Sequence, residues 1–274
     1  MQTTGVIIVA GGSGQRCGGS LPKQFRLLGG QPVLARTINV FAQALPGAPI
    51  VVVLPASRIA FWKDLAARFD VAAHTLCEGG AERFHSVRNG LAALPDEVEL
   101  IAVQDGVRPL GTPELILRTL AAAAEYGAAI PVTIPVDSFR ETEPDEADTA
   151  GSGTADSGID GATGQDSSTA QHGIAAQTAG IVPSRILDRR RLRIVQTPQV
   201  FRAELLRTAY RAEYSDRFTD DASVAEQAGY PVFLTEGERT NLKITDNDDF
   251  TLAEALLAAR ENAQTDNDPH ADVL

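Results

Sequence analysis

Apolar residues along this chain gather in short, unbroken runs: Val6 to Ala10, Ile50 to Leu54, Leu100 to Val103 and Ala128 to Val136. Runs of that length read as strands, and continuous rather than alternating apolarity places them in a sheet covered on both faces. Between them the period changes. Val33, Thr37, Val40, Phe41 and Ala44 recur at helical spacing, as do Val87, Leu91 and Leu94, and a closing helix is expected around Phe250 to Arg260. Strand and helix alternate, which predicts one doubly wound, mainly parallel α/β domain over residues 1–274. In such sheets ligands lie beyond the carboxyl ends of the strands. The segment after Val9 falls there, and so does Gln104-Asp105-Gly106-Val107-Arg108-Pro109.

The pattern fails from about 141 to 180, a stretch of Ala, Gly, Ser, Thr and Asp with almost no large apolar side chain. It cannot bury enough surface to offset the entropy of ordering, so a disordered, acidic insertion is predicted there, and a flexible tail over 262–274. The charge agrees. Of the formal −12, eight acids lie in residues 141–180 and three more in 264–274, leaving the folded body at about −1. That near-neutral body argues against a nucleic-acid surface. Only Cys17 and Cys77 occur, with no secretory segment and no apolar run of membrane length, so a reduced cytoplasmic setting is expected. His74, His85, His172 and His270 stand at no metal-ligand spacing.

The chemistry concentrates at Ala10-Gly11-Gly12-Ser13-Gly14-Gln15-Arg16, followed by Pro22-Lys23-Gln24. A buried strand running into a glycine loop lets bare backbone amides approach a nucleotide, and Arg16 and Lys23 supply the fixed cations that a polyphosphate demands. Two commoner motifs are absent. A dinucleotide fingerprint needs glycine where Cys17 stands and an acid after the second strand, which ends Leu54-Pro55-Ala56-Ser57; an NTPase phosphate loop needs a Gly-Lys-Ser/Thr that the chain lacks. A tight turn with no ligand remains open for the loop. Asp105-Gly106 reads equally as a strand-end turn, Arg189-Arg190-Arg191 as a solvated basic patch, and Thr219 as a helix N-cap before Asp220-Asp221.

Taken in order, the motifs resemble those of the 2-C-methyl-D-erythritol 4-phosphate cytidylyltransferases. The resemblance rests on the glycine loop, Pro22-Lys23-Gln24, Gly79-Gly80-Ala81-Glu82-Arg83 with Ser86-Val87, and Asp105-Gly106-Val107-Arg108-Pro109. Pro135-Val136-Asp137-Ser138, Gln196-Thr197-Pro198-Gln199, Thr219-Asp220-Asp221-Ala222 and Asn241-Leu242-Lys243-Ile244-Thr245 complete it. It implies a Rossmann-like nucleotidyltransferase fold, with CTP and methylerythritol phosphate as substrates and Mg²⁺ or another divalent cation as cofactor. It implies Arg16 and Lys23 on the CTP phosphates, and Arg189 and Lys243 on the attacking phosphate. Asp105 would lie near the metal and the polyol. Ala10, Gly11, Gly80 and Ser86 would read the cytosine edge, and Gly12 and Gly106 would approach the ribose. Arg108, Ser138, Thr197 and Thr219 would contact the acceptor.

The same resemblance implies that residues 137–195 form a β-arm that hooks around a second subunit, making a homodimer in which Arg189 and Thr197 complete the partner's site. Two departures stand out: the arm carries some 30 or more extra residues, and Ala81 replaces an acid that often contacts ribose. A ribitol 5-phosphate cytidylyltransferase would use much the same cations. Of another class is a nucleotide-binding module without catalysis, against which the joint presence of Arg16, Lys23, Asp105 and Lys243 argues.

Overall fold

The computed structural model describes residues 2–11, 21–142 and 183–266. The insertion expected at 141–180 lies outside them apart from its first two residues, and so do Gly12, Arg16 and the chain from 267 onward. Two compact units result, Met1–Thr133 with Ile194–Leu274, and Ile134–Arg193.

In the larger unit the four apolar runs form β1 (Thr4–Val9), β4 (Ile50–Leu54), β6 (Leu100–Asp105) and β7 (Ala128–Thr133), and β5 (Thr75–Glu78) is a strand that no apolar run announced. The short β2 (Leu27–Leu28) and β3 (Gln31–Pro32) form a separate ladder. β1 pairs in parallel with β4 on one side and β6 on the other, and β5 continues the sheet beyond β4. Two late strands, β10 (Ile194–Val195) and β11 (Gln199–Arg202), run antiparallel to β7, with β11 inserted between β6 and β7, and β12 (Phe233–Glu236) is parallel to β7. The sheet is therefore parallel except for the returning β10 and β11.

The two-sided burial inferred from continuous apolarity is visible in the side-chain alternation of each strand. Val6, Ile8, Ile50, Val52, Leu54, Leu100 and Ala102 pack into one core with α1 (Val33–Ala44), Trp62 of α2 (Ala56–Ala66) and α4 (Pro113–Tyr126). Ile7, Val51, Val53, Ile101 and Val103 pack into another, with α3 (Arg83–Ala93), α5 (Ala203–Ala209) and α6 (Asp221–Gln227). A third, smaller core joins Leu28, Val33 and Leu110 to Ile244, Phe250 and Ala253, which seats α7 (Asn247–Asp266).

Two local expectations are corrected. The N-cap of α6 is Asp220 rather than Thr219: its carboxylate accepts the Ser223 amide at 2.9 Å, and the Ser223 hydroxyl accepts the Asp220 amide at 3.2 Å. The Asp220 carboxylate makes one bond of this reciprocal box and the Ser223 hydroxyl the other, whereas Thr219 is exposed one residue outside it. α7 also runs past Arg260 to Asp266, into the expected tail, because no glycine or proline interrupts the sequence before Pro269.

In the smaller unit β8 (Phe139–Thr142) pairs antiparallel with β9 (Ser184–Leu187), opposing Phe139 to Leu187 and Thr142 to Ser184. A 3-10 turn over Arg189–Arg191 follows, capped by the Asp188 side chain on the Arg190 amide.

Candidate active site

The carboxyl ends of β1, β4, β5 and β6 open together onto a cavity of about 530 Å³, where a parallel sheet is expected to bind its ligand. Ala10 and Gly11 form one wall. The Ala10 amide donates to the Val53 carbonyl at 2.9 Å, and its own carbonyl accepts from Gln24 Nε2 at 2.9 Å, so the start of the glycine loop is tied down from both sides. Gly80 lies opposite. Its amide donates to Ser86 Oγ at 3.1 Å, leaving the Gly80 carbonyl and the Ser86 proton for a ligand. A side chain at Gly80 would sit 2.3 Å from His85 Cβ, so only glycine permits this turn into α3.

Gly106 stands just behind the wall, and its missing Cβ is what lets the β6 turn press against β1: a methyl there would lie 2.9 Å from Ala10 Cβ and 3.2 Å from the Val9 carbonyl. Beside it Asp105, 8% exposed, is the electrostatic centre of the site. Lys243 Nζ lies 2.9 Å from its Oδ2, Arg108 Nε 3.5 Å from the same oxygen, and Arg83 Nε 3.7 Å from Oδ1. Burial pushes the carboxyl up, but Arg83, Lys243 and Arg108 outweigh it and hold the group below the usual carboxylate range. The Asp105 amide donates to Thr197 Oγ1 at 3.1 Å.

Lys23 enters from the 3-10 turn Lys23–Phe25 and lines the cavity, as does Lys243. The loop carrying Lys243 is pinned by the buried Ile244, whose amide donates to the Val107 carbonyl at 2.9 Å. Asn241 Nδ2 donates to the Thr197 carbonyl at 2.9 Å, so the Lys243 and Thr197 segments share one support.

The sequence-derived candidates are thus only partly convergent. Ala10, Gly11, Lys23, Gly80, Ser86, Asp105 and Lys243 line one cavity. Arg108 is buried beneath, with Nη1 on the Asn241 carbonyl at 2.8 Å, and burial lowers its pKa despite Asp105. Thr197 lies within its own chain's site beside Asp105, which corrects the expectation that it completes the partner's. Thr219 is exposed and does not line the cavity. Arg189 and Ser138 belong to the smaller unit, where the Arg189 guanidinium donates to the Val136 carbonyl and Ser138 is exposed.

Sequence reasoning assigned no role to Arg83, Glu82 or Gln24, which also line the cavity. Arg83 was detectable in principle. It opens α3, where the helix dipole disfavours a cation, and such a misfit calls for a nearby acid. Among the described residues no group of three or more His, Cys, Asp or Glu side chains is placed to hold a metal. No described helix is long and apolar enough to cross a membrane.

The profile of the 2-C-methyl-D-erythritol 4-phosphate cytidylyltransferase family matches residues 4–156 and 171–259, leaving unmatched between them only 157–170 within the acidic stretch. The chain belongs to this family. A family member from Phocaeicola vulgatus is 42% identical over 254 residues, spanning 92% of this chain and 98% of that protein. The crystal structure of the Thermus thermophilus cytidylyltransferase superposes with a TM-score of 0.61 at 28% identity, over 92% of this chain and 98% of that one. The 4-diphosphocytidyl-2C-methyl-D-erythritol synthase of Anaerococcus prevotii, at 24% identity and a TM-score of 0.68 over 94% of this chain and 96% of that one, shares the fold.

Proposed function

We propose that this protein transfers the cytidylyl group of CTP to 2-C-methyl-D-erythritol 4-phosphate, giving 4-diphosphocytidyl-2-C-methyl-D-erythritol and pyrophosphate in isoprenoid biosynthesis. The observation that carries the reading is one cavity, in a chain of this family, that gathers the loop backbone of Gly11 and Gly80 with Lys23, Lys243 and Asp105. In the reaction an oxygen of the acceptor phosphate attacks the α-phosphorus of CTP. A new P–O bond forms in line with the bond to the β-phosphate, which breaks as pyrophosphate leaves. Both reactants are anions, so the protein's work is to cancel repulsion and to stabilise charge on the five-coordinate phosphorus.

Lys23 stabilises the CTP phosphates and the charge that develops on the leaving group, together with Arg16. Lys243 holds the acceptor phosphate in line, and Asp105 orients Lys243. Gly80 and Ser86, with the Ala10 and Gly11 backbone, read the cytosine edge, and Gly12 lets the ribose approach, while Gly106 acts from behind the wall by letting the β6 turn pack on Ala10. Arg108 supports Asp105 from below and Thr197 supports its amide. Asp105 alone does not make a site for a divalent cation, because its Oδ2 already meets Lys243 and Arg108 and its Oδ1 faces Arg83; such a cation would take its shell from the CTP phosphates and water. When bound it would neutralise the polyphosphate.

The reading extends to a cytoplasmic homodimer in which residues 137–195 reach a second copy and bring it Arg189 and Ser138. Phe139 (38% exposed) and Ile186 (62% exposed) present apolar surface on the hairpin, as an interface would. Light scattering of the purified protein tests the dimer. Pyrophosphate release from CTP, ATP, GTP or UTP with methylerythritol phosphate or ribitol 5-phosphate tests the reaction. Release confined to CTP and methylerythritol phosphate is expected, and preference for ribitol 5-phosphate would replace the acceptor while keeping the cationic site.

A further inference from the structure

Arg83 faces two carboxylates at once. Its terminal nitrogens grip Asp221, Nη1 to Oδ1 at 2.9 Å and Nη2 to Oδ2 at 2.7 Å, while its Nε edge looks at Asp105 Oδ1 across 3.7 Å. Asp221, the first residue of α6, is fully buried, and the Tyr210 hydroxyl donates to it at 2.6 Å. Burial alone would lower the Arg83 pKa, but Asp221 reverses this and raises it, so the guanidinium stays charged.

Such a pair is weak evidence for stability, because desolvation offsets much of the attraction, and α3 would be better served by a neutral or acidic first residue. Its geometry suits another task. A two-point grip on the terminal nitrogens fixes the plane of the guanidinium, and with it the direction of the Nε edge. Lys243 meets Asp105 on Oδ2 and Arg83 meets it on Oδ1, so the carboxylate is braced between the two. We propose that Arg83, held by Asp221 and Tyr210, is a positioning residue for cytidylyl transfer: it fixes the Asp105 carboxylate from the Oδ1 side so that Lys243 is delivered to one place in the cavity. The inference rests on the functional reading above and names residues of that site to which no role has been given.

The test uses two variants of the whole chain. Arg83→Met with Asp221→Asn removes both charges together, leaving no stranded buried ion and keeping an acceptor for Tyr210, so the fold is retained. Arg83→Lys keeps a cation beside Asp221 but lacks a second edge for Asp105. For each, pyrophosphate release is followed against CTP concentration, beside thermal unfolding. The expected result is a fall in kcat on the order of 10²-fold, as for a displaced reacting group. The KM for CTP changes less, so the loss falls on kcat rather than on nucleotide binding.

Either variant, folded and showing wild-type kcat, overturns the proposal. So does a lower unfolding midpoint with kcat and the KM for CTP unchanged, since that is what a structural pair alone would give. If the unaltered protein releases no pyrophosphate from CTP and methylerythritol phosphate, the functional reading fails and the inference falls with it.

Discussion

Replacing Asp105 by asparagine keeps the side-chain volume and deletes one negative charge shared by Lys243 at 2.9 Å, Arg108 at 3.5 Å and Arg83 at 3.7 Å. The three losses are unequal. The Lys243 side chain is 46% exposed, so its pair ranks with surface bridges at about 0–1 kcal/mol. Arg83 keeps Asp221. Arg108, 10% exposed, keeps only carbonyl partners, and stranding such an ion destabilises by about 3–5 kcal/mol. For a fold of this size the unfolding midpoint should drop by roughly 10 °C. The pH dependence has a definite sign. Because the folded-state pKa of Asp105 is depressed, its contribution is complete above the unfolded carboxylate pKa and is lost as pH falls through the folded one. The gap between the wild type and Asp105→Asn is therefore constant near neutrality and closes on acidification. The site also becomes one charge more positive, so CTP binds no more weakly while kcat falls. Thermal unfolding followed by the fluorescence of the buried Trp62 from pH 7 downward, beside pyrophosphate release, reads all of this. Equal midpoints at pH 7, or a gap that widens as pH falls, would refute the reasoning.

Lys23→Ala should lower turnover by roughly 10² to 10³, as for loss of one preorganised charge-stabilising donor, and near-normal pyrophosphate release would remove Lys23 from the machinery. Asp220→Ala should destabilise by about 1–2 kcal/mol, since Asp220 also accepts from Gln199 at 2.8 Å. Thr219→Ala should stay within about 0.5 kcal/mol, and denaturant melts of the two would expose a reversed order. Deleting residues 145–178 should leave turnover and the oligomeric state unchanged, because the composition of that stretch offers nothing to a packed core; collapse of either would show that it serves the arm.

Strand positions were legible because β-branched runs such as Ile50-Val51-Val52-Val53-Leu54 have no other stable home than a two-sided sheet. The returning β11 was not. Gln199-Val200-Phe201-Arg202 is short and half polar, and its place between β6 and β7 depends on partners about 70 and 100 residues away in sequence, which periodicity cannot see. The site shows the same division. Ala10, Gly11, Lys23 and Asp105 belong to local motifs with their own chemistry, whereas the pairing of Arg83 with Asp221 joins residues 138 apart that each look ordinary in their own window. Thr219 and Asp220 illustrate a finer limit. Both are good caps, and only the reach of the side chain to the Ser223 amide decides between them.

The cations of the site divide by chemistry as well as by place. Of the three around Asp105, Arg83 and Arg108 are less exposed than Lys243, and each is bound at more than one point: Arg83 on Asp221 and Asp105, Arg108 on Asp105 and the Asn241 carbonyl. A rigid, planar fork suits a frame that must not move. The lysines stand at the cavity wall. Lys243 meets Asp105 through a half-exposed ammonium, a contact whose small net energy a doubly charged phosphate can exceed on arrival. The protein can therefore fold with several cations around one cavity, because Asp105 and Asp221 neutralise those that stay fixed. Lys243, the cation proposed to meet the acceptor, is the most exposed of the three that surround Asp105. In the proposed reaction this makes Asp105 a holder that presents Lys243 and then yields it to the acceptor phosphate, while Arg83 and the buried Arg108 keep the carboxylate itself in place.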